Sequence, residues 1–211
     1  LVDKFIADKG LLAALRETFS DYPSGTSFHL AYFRPTNPAM TEGIALAAKN
    51  IFSVCREFAY EDKAGGNRVD LAIFLNGLPV VMLELKKQTA GQSAVGNGII
   101  QFQQDRSTEE KVFGFNKRTL VYLTLDEFEA FAATDMKTFL PFNRGTEAGT
   151  GNPAVNGKHS TCYIWEEILD TPTLLRILRE FMFLDNEGKM IFPRYHQLRA
   201  VRKVEEDIAA N

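Results

Sequence analysis

Three charged residues lie within or beside two apolar stretches of this 211-residue sequence. Asp70 opens the run Asp-Leu-Ala-Ile-Phe-Leu, whereas Glu84 and Lys86 close the run Val-Val-Met-Leu-Glu-Leu-Lys. A charge buried without a partner in an apolar strand is costly, so such charges indicate a function. Two neighbouring carboxylates can bind a hard cation such as Mg²⁺. The metal can polarise a phosphodiester and acidify a bound water, and a nearby lysine can offset the charge of the transition state.

The geometry of this set depends on one hairpin. Asn76-Gly77 is a strong turn signal between strands predicted over 69–75 and 79–86. A plain two-residue turn pairs Leu75 with Leu78, and Asp70 then faces away from Glu84. One extra residue in the turn, or a bulge in a strand, brings the two carboxylates to the same face. The sequence therefore predicts a longer turn or a bulge.

A second interpretation needs no chemistry. Glu84 and Lys86 can form a surface ion pair, and Asp70 can be a turn residue. For any one of the three residues alone this second interpretation is favoured. For the three together across an apolar hairpin, the metal site is favoured.

The remaining pattern predicts an α/β (α+β) fold with a central mixed sheet flanked by helices. Strands are also predicted over 51–60 and 119–125, with loops over 88–98 and 141–160. Helices are predicted over 4–20, 38–50, 97–106, 162–184 (broken near Pro172) and 194–210.

The net charge of −3 and the pI near 5.7 are not those of a strongly basic nucleic-acid binder. Contact with DNA must then come from a local basic patch or from other subunits. Five residues are predicted to form such a patch near the hairpin: Lys63, Arg68, Lys86, Lys87 and Arg106. For Lys63 and Lys87, a solvated charged face is an equal alternative.

Composition also bears on the compartment. The two cysteines, Cys55 and Cys162, show no pairing pattern and are predicted to be buried free thiols in a reducing compartment. No apolar run approaches the roughly 20 residues of a membrane span, and no signal peptide is recognised. We expect a cytoplasmic protein without membrane contact. The first residue is Leu and the chain ends within a helical pattern, so we expect a segment of a longer protein.

The spacing of Asp70, Glu84 and Lys86 resembles the PD-(D/E)XK nuclease superfamily, with Val69 in place of the proline. The wider sequence resembles the R subunits of type I restriction enzymes over nearly its whole length. The similar segments are Asp-Leu-Ala-Ile-Phe-Leu-Asn-Gly-Leu-Pro-Val, Glu-Leu-Lys, Phe139-Leu-Pro-Phe-Asn-Arg-Gly, Gly151-Asn-Pro, Cys162-Tyr-Ile-Trp-Glu and Phe192-Pro-Arg-Tyr-His-Gln.

This resemblance implies a restriction-endonuclease-like core over 1–160 and a helical segment over 161–211 that leads toward a helicase-like motor. It implies Mg²⁺-dependent cleavage of double-stranded DNA after ATP-driven translocation, in a complex with methyltransferase (M) and specificity (S) subunits. The sequence contains no G-x-x-x-x-G-K-[ST] motif, so ATP is expected to bind elsewhere in the full subunit. We further hypothesise that the long loop over 141–160 couples the motor to cleavage.

The resemblance also assigns roles to residues. Asp70 and Glu84 become metal ligands, and Lys86 becomes the catalytic lysine. A Gln-x-x-x-Tyr element of the family fits Gln101, although Asp105 stands where the tyrosine is expected. Gln101, Lys87 and Arg106 are candidates for DNA binding or site support. Glu42, on the preceding helix, is a candidate further metal ligand, with a solvated helix face as the alternative.

Two other functions remain open. The chain can be a non-catalytic docking or coupling module that keeps the nuclease fold, although the presence of all three motif residues favours an enzyme. It can also be another phosphodiesterase, or an RNA-directed enzyme on the same fold. The Phe192-Pro-Arg-Tyr-His-Gln segment argues against these last two.

Overall fold

The computed structural model describes residues 1–61 and 66–210, so Lys63 lies outside the described residues. Its centre is a six-stranded mixed sheet with the strand order β3-β4-β5-β6-β7-β8. Only β5 and β6 run parallel, and the other neighbours are antiparallel. The strands are β3 (Phe52–Ala59), β4 (Arg68–Leu75), β5 (Leu78–Leu85), β6 (Val121–Leu125), β7 (Ala130–Ala133) and β8 (Leu140–Pro141).

Helices cover both faces of this sheet. The α-helices are α1 (Val2–Lys9), α2 (Leu11–Arg16), α3 (Thr41–Ala47), α4 (Ile100–Gln104), α5 (Thr171–Arg176) and α6 (Tyr195–Ala210). Three π-helical turns are described, at Ala94–Ile99, Ile164–Ile168 and Ile177–Phe181. Short 3-10 turns lie at Gln88–Ala90 and Lys111–Phe113. Two small hairpins lie outside the sheet: β1 (Thr18–Asp21) with β2 (Thr26–His29), and β9 (Phe183–Leu184) with β10 (Met190–Ile191). The predicted mixed sheet flanked by helices is therefore confirmed. Within the described residues, no helix is both long enough and apolar enough to span a membrane.

The hairpin between β4 and β5 turns at Asn76 and Gly77, whose φ angles are 51° and 83°. Glycine and asparagine are the residues that best adopt this left-handed conformation, which explains the turn signal in the sequence. The Asn76 side chain also accepts a hydrogen bond from the backbone N–H of Ile51 at 2.7 Å and donates one to the carbonyl of Leu30 at 2.8 Å. The turn is thus held by side-chain contacts as well as by backbone conformation.

A bulge then shifts the register of this hairpin. Leu75 pairs with Leu78 across a two-residue turn, but Leu71 pairs with Leu83, and the shift occurs between Ile73 and Phe74. The extra residue on β5 is Val80. The predicted bulge is therefore confirmed, and the next pair along the ladder places Asp70 opposite Glu84.

Two hydrophobic cores lie on opposite faces of the sheet. The larger core joins inward-facing residues of β4, β5 and β6 to α1, α2, α5 and the first turn of α6. The smaller core contains Val69, Ala72, Met82 and Tyr122 of the sheet, with Phe102 of α4 and Phe113 also packed in it. Because both faces are covered, β5 is apolar along almost its whole length.

Several sequence predictions need correction. The helix predicted over 4–20 ends at Arg16, and Thr18–Asp21 form a strand. The helical segment predicted from 97 begins at Ala94, and β7 was not predicted. Both cysteines are free, but Cys55 is exposed rather than buried. Residues after 160, among them Tyr163 and Leu178, also pack in the larger core.

Candidate active site

The ammonium group of Lys86 lies between the two carboxylates at the end of the β4–β5 hairpin. Its Nζ is 3.2 Å from Glu84 Oε2 and 3.9 Å from Asp70 Oδ2. It also donates a hydrogen bond to Gln101 Oε1 at 2.6 Å. The structure therefore brings together the three residues of the predicted site and Gln101, the first of two predicted supporting residues that contact it.

Asp70 is held in place by the neighbouring strand. Its Oδ2 accepts a hydrogen bond from the backbone N–H of Leu85 at 2.6 Å. Leu85 lies between Glu84 and Lys86, so this bond ties the Asp70 carboxylate to the same point of β5. The register set by the bulge is what makes this contact possible.

Glu84 is fully buried, which is unusual for a carboxylate. Its Oε1 accepts a hydrogen bond from Arg106 Nη2 at 2.7 Å, and its Oε2 faces Lys86. Burial raises the pKa of Glu84, and the Asp70 charge adds to that rise, whereas Arg106 and Lys86 oppose it. Burial alone lowers the pKa of Arg106, but its hydrogen bond and charge interaction with Glu84 outweigh burial and raise it. The two cations thus offset the cost of burying Glu84.

Arg106 does not take the position expected of a DNA-binding residue. Only 3% of its side chain is exposed, because it lies beneath Glu84 rather than on the surface. Of the two roles predicted for Arg106, site support fits this position and DNA contact does not. Arg106 must also be removed from the predicted basic patch.

The other predicted residues lie away from this cluster or at its edge. Lys87 is exposed and directly follows Lys86, at the N-terminus of a 3-10 turn. Asp105 is exposed at the C-terminus of α4. Glu42 is exposed on α3, and the described residues contain no group of three or more His, Cys, Asp or Glu side chains placed to hold a metal. The exposure of Glu42 fits the solvated helix face that was its alternative, and Glu42 forms no such group with Asp70 and Glu84 among the described residues.

Tyr60 is a supporting residue that the sequence did not reveal. Its hydroxyl accepts a hydrogen bond from Arg106 Nη1 at 3.0 Å, and its ring centroid lies 5.4 Å from the Arg106 guanidinium carbon. Burial raises the pKa of the Tyr60 phenol, so it stays neutral at physiological pH. Tyr60 directly follows β3, 46 residues before Arg106, and only the sheet brings the two together. The one signal in the sequence was that Tyr60 is an aromatic residue at the end of the strand predicted over 51–60.

The residues present fit a divalent cation. Carboxylate oxygens are the ligands that Mg²⁺ prefers, and the set contains two carboxylates on adjacent strands. The oxygens Asp70 Oδ2 and Glu84 Oε2 already converge on one cation, the ammonium of Lys86. This end of the hairpin is therefore built to attract positive charge.

The comparison with known sequences bears directly on this site. Residues 38–147, just over half of the chain, match the family described as "Type I restriction enzyme R protein N terminus". The chain belongs to this family. The matched range of this R protein N terminus includes Asp70, Glu84 and Lys86, together with Gln101 and Arg106.

One curated relative extends the match. It comes from Methanocaldococcus jannaschii and is named as the endonuclease subunit of the type I restriction enzyme MjaVIIIP. The two sequences are 26% identical over 168 residues, which is 76% of this chain and 15% of the relative. The chain therefore spans a small part of that relative's length.

Proposed function

We propose that this R protein N terminus is a Mg²⁺-dependent endonuclease domain that hydrolyses phosphodiester bonds of double-stranded DNA. The observation that carries the proposal is the contact of one lysine ammonium, Lys86, with the carboxylates of both Asp70 and Glu84. A buried carboxylate is costly to keep, and such groups cluster at functional sites, which favours catalysis over a docking module. The matched family, and the relative named as an endonuclease subunit, support the same reading.

Each residue has a role in this proposal. Asp70 and Glu84 would hold Mg²⁺, which when bound polarises the scissile phosphodiester and acidifies a water. The hydrogen bond to Gln101 Oε1 orients the Lys86 ammonium at the site. Lys86 then offsets the negative charge that develops on the phosphate in the transition state. Lys87, exposed beside the site, is placed to contact the DNA backbone.

The domain would act as one part of a larger enzyme. We propose that it works with M and S subunits in the cytoplasm, and that an ATP-driven motor elsewhere in the full R subunit delivers DNA to it. In this proposal residues 1–160 form the nuclease domain and 161–211 lead toward the motor. The loop over 141–160 would couple the two.

The proposal is tested in the full R subunit assembled with its partners. Plasmid DNA carrying a recognition site is incubated with Mg²⁺ and ATP, and cleavage and ATP hydrolysis are measured for Asp70→Ala, Lys86→Ala and wild type. We expect both variants to lose cleavage and to keep ATP hydrolysis, because the site is separate from the motor. Unchanged cleavage in either variant refutes the site.

Glu42→Gln supplies a matched control. It neutralises a carboxylate that lies exposed on α3 and forms no metal-binding group with Asp70 and Glu84 among the described residues. We expect it to cleave DNA at the wild-type rate. A loss of cleavage in this variant as well would return Glu42 to the set of metal ligands.

A further inference from the structure

The segment that begins with α4 contacts both residues that flank Leu85. Gln101, within α4, binds the Lys86 ammonium at 2.6 Å. Arg106, two residues after α4 ends, binds Glu84 at 2.7 Å. One short segment therefore holds the end of β5 at two points, one for each charged residue of the strand.

The guanidinium of Arg106 is itself fixed from three sides. Besides Glu84, its Nη2 donates to the carbonyl oxygen of Arg68 at 2.5 Å, and its Nη1 donates to the hydroxyl of Tyr60 at 3.0 Å. The ring of Tyr60 adds a cation–π contact. The Nε of Arg106 is buried and has no hydrogen-bond partner among the described residues. Leaving this N–H unpaired costs free energy, which the hydrogen bonds of Nη1 and Nη2 must outweigh. Those hydrogen bonds therefore determine where the guanidinium lies.

These contacts fix the orientation of the Glu84 carboxylate. Its two oxygens bind different cations: Oε1 binds Arg106 and Oε2 binds Lys86. The carboxylate cannot rotate without losing one of these bonds in a fully buried position. Oε2 is thereby kept turned toward Lys86, whose ammonium also contacts Asp70.

The helical segment can lie this close to the sheet because of one glycine. A Cβ atom built on Gly98 would overlap Thr124 Oγ1 and stand 2.9 Å from Thr124 Cβ. Thr124 is the residue of β6 that pairs with Glu84 of β5. The segment that carries Gln101 and leads to Arg106 is thus seated directly beside the buried carboxylate.

We propose that Arg106, supported by Tyr60, is a positioning residue for the metal site. It acts through Glu84: it holds Oε1 so that Oε2 stays in the orientation that a metal ligand requires. This inference rests on the proposed function, because it assigns Glu84 as a ligand. Partners of this kind, which orient a ligand without touching the metal, typically change metal affinity 10- to 100-fold when they are removed.

The test uses variants that conserve charge, so that a change in electrostatics does not mask a change in geometry. Arg106→Lys keeps the positive charge, but one ammonium cannot replace the guanidinium's three hydrogen bonds to Glu84, Arg68 and Tyr60. Tyr60→Phe keeps the ring and removes one hydrogen bond. Arg118→Lys is the control, because Arg118 pairs with Asp3 on α1 rather than with the site.

Mn²⁺ binding to the full-length protein is measured by electron paramagnetic resonance without nucleotide. Asp70→Asn lacks a proposed ligand, so the Mn²⁺ that this variant still binds is assigned to other sites. We expect Arg106→Lys to weaken Mn²⁺ binding about tenfold. We expect Tyr60→Phe to weaken it by a smaller factor, and Arg118→Lys to leave it unchanged. Cleavage by Arg106→Lys should fall in kcat, with the KM for DNA unchanged.

Two results overturn the inference. The first is a folded Arg106→Lys protein that binds Mn²⁺ with wild-type affinity. If its melting temperature has fallen at the same time, Arg106 contributes to stability but does not position a metal ligand. If Arg106→Lys does not fold, Tyr60→Phe decides, and wild-type Mn²⁺ affinity there overturns the inference. If Asp70→Asn binds Mn²⁺ as tightly as wild type, the proposed metal site itself fails. That result differs from the two above, because it overturns the proposed function and not only the role of Arg106.

Discussion

Lys86 and Glu84, two residues apart in the chain, bind each other through the carboxylate oxygen that Arg106 leaves free: Lys86 Nζ lies 3.2 Å from Glu84 Oε2. Alternation along an extended strand puts both side chains on one face. The ammonium therefore occupies the position toward which the two carboxylates converge. A metal ion and Lys86 would compete for the same oxygens.

The first prediction concerns this competition. Lys86→Met removes the ammonium and keeps an unbranched side chain of similar length. Two charges about 4 Å apart interact by several kcal/mol even at an effective dielectric of about 20. We expect Ca²⁺ to bind Lys86→Met about tenfold more tightly than wild type, a gain of ~1.4 kcal/mol. Isothermal titration calorimetry with Ca²⁺ and no nucleotide measures this.

The matched control for this substitution is Lys111→Met. Lys111 is exposed and pairs with Asp3 rather than with a carboxylate of the site, so its loss should leave Ca²⁺ binding at the wild-type value. Equal or weaker Ca²⁺ binding in Lys86→Met would contradict the competition.

The second prediction concerns the bulge. Deletion of Val80 removes the bulge but keeps the pairs of Ile73 with Val81 and of Leu71 with Leu83, so Asp70 stays opposite Glu84. The larger core loses the fully buried Val80 side chain. We expect a loss of about 1.5–3 kcal/mol in the free energy of unfolding, the usual contribution of one buried aliphatic side chain. Urea unfolding followed by circular dichroism measures the loss.

A control deletion separates this effect from that of shortening the chain. Ala148 lies in an exposed turn. Its removal should change the free energy of unfolding by less than about 1 kcal/mol, because loops tolerate changes in length. If both deletions cost the same, the buried side chain of Val80 does not contribute to stability as its position implies.

The sequence predicted the hairpin and its three charged residues because Asn76-Gly77 and the isolated charges are local signals. It required a bulge but did not place it at Val80. Strand β5 is buried on both faces, so its side chains show no alternation from which a register can be read.

The partners of Glu84 were harder to predict. Arg106 was predicted both for a surface basic patch and for site support, because its position in the sequence says nothing of its burial. Its contacts with Tyr60 and Arg68 join segments 46 and 38 residues away, which only the folded sheet brings together. The strand Thr18–Asp21 was missed for a related reason: the apolar spacing around Phe19 also fits a helix.

The third prediction concerns the contact of Gly98 with Thr124. Gly98→Ala places a methyl group within the space of a fully buried side chain on β6. We expect a loss of about 1–3 kcal/mol in the free energy of unfolding, the usual cost of overpacking. Chemical denaturation measures the loss. The hydrogen bond between Gln101 and Lys86 should weaken as the helix moves, which the side-chain amide resonance of Gln101 reports by NMR.

Gly96→Ala is the matched control in the same helical segment. Its added Cβ meets only Ser93 Oγ, the end of a flexible side chain, at 2.9 Å. We expect a change of less than about 1 kcal/mol. In the double variant Gly98→Ala/Thr124→Gly, the space opened on β6 should make the two losses less than additive. Additive losses would show that the two residues do not share this contact.

The last prediction concerns Asp126, which follows β6 and anchors the segment leading to α4. Its carboxylate accepts hydrogen bonds from the backbone N–H groups of Ala94, Phe128 and Glu129 at 2.8–2.9 Å and from Gln88 Nε2 at 3.1 Å. Burial alone raises the pKa of Asp126, but these hydrogen bonds outweigh it, and the pKa lies below its ordinary value of 3.8.

A lowered pKa in the folded state fixes the sign of the pH dependence. The charged carboxylate stabilises the fold above the ordinary pKa, and this stabilisation is lost as the pH falls through the lowered value. We expect Asp126→Asn to cost about 1–3 kcal/mol at pH 7, and the difference from wild type to shrink as the pH falls below 3.8. Urea unfolding between pH 7 and pH 3 measures this.

Thr161→Val provides the comparison that does not titrate. It removes the hydrogen bond from Thr161 Oγ1 to the backbone carbonyl of Asp126, 2.6 Å long, and leaves the carboxylate in place. Its cost should be the same at every pH in this range, because no ionisable group is changed. If the cost of Asp126→Asn is equally independent of pH, the carboxylate does not hold this segment through its charge, and the anchor of α4 must lie elsewhere.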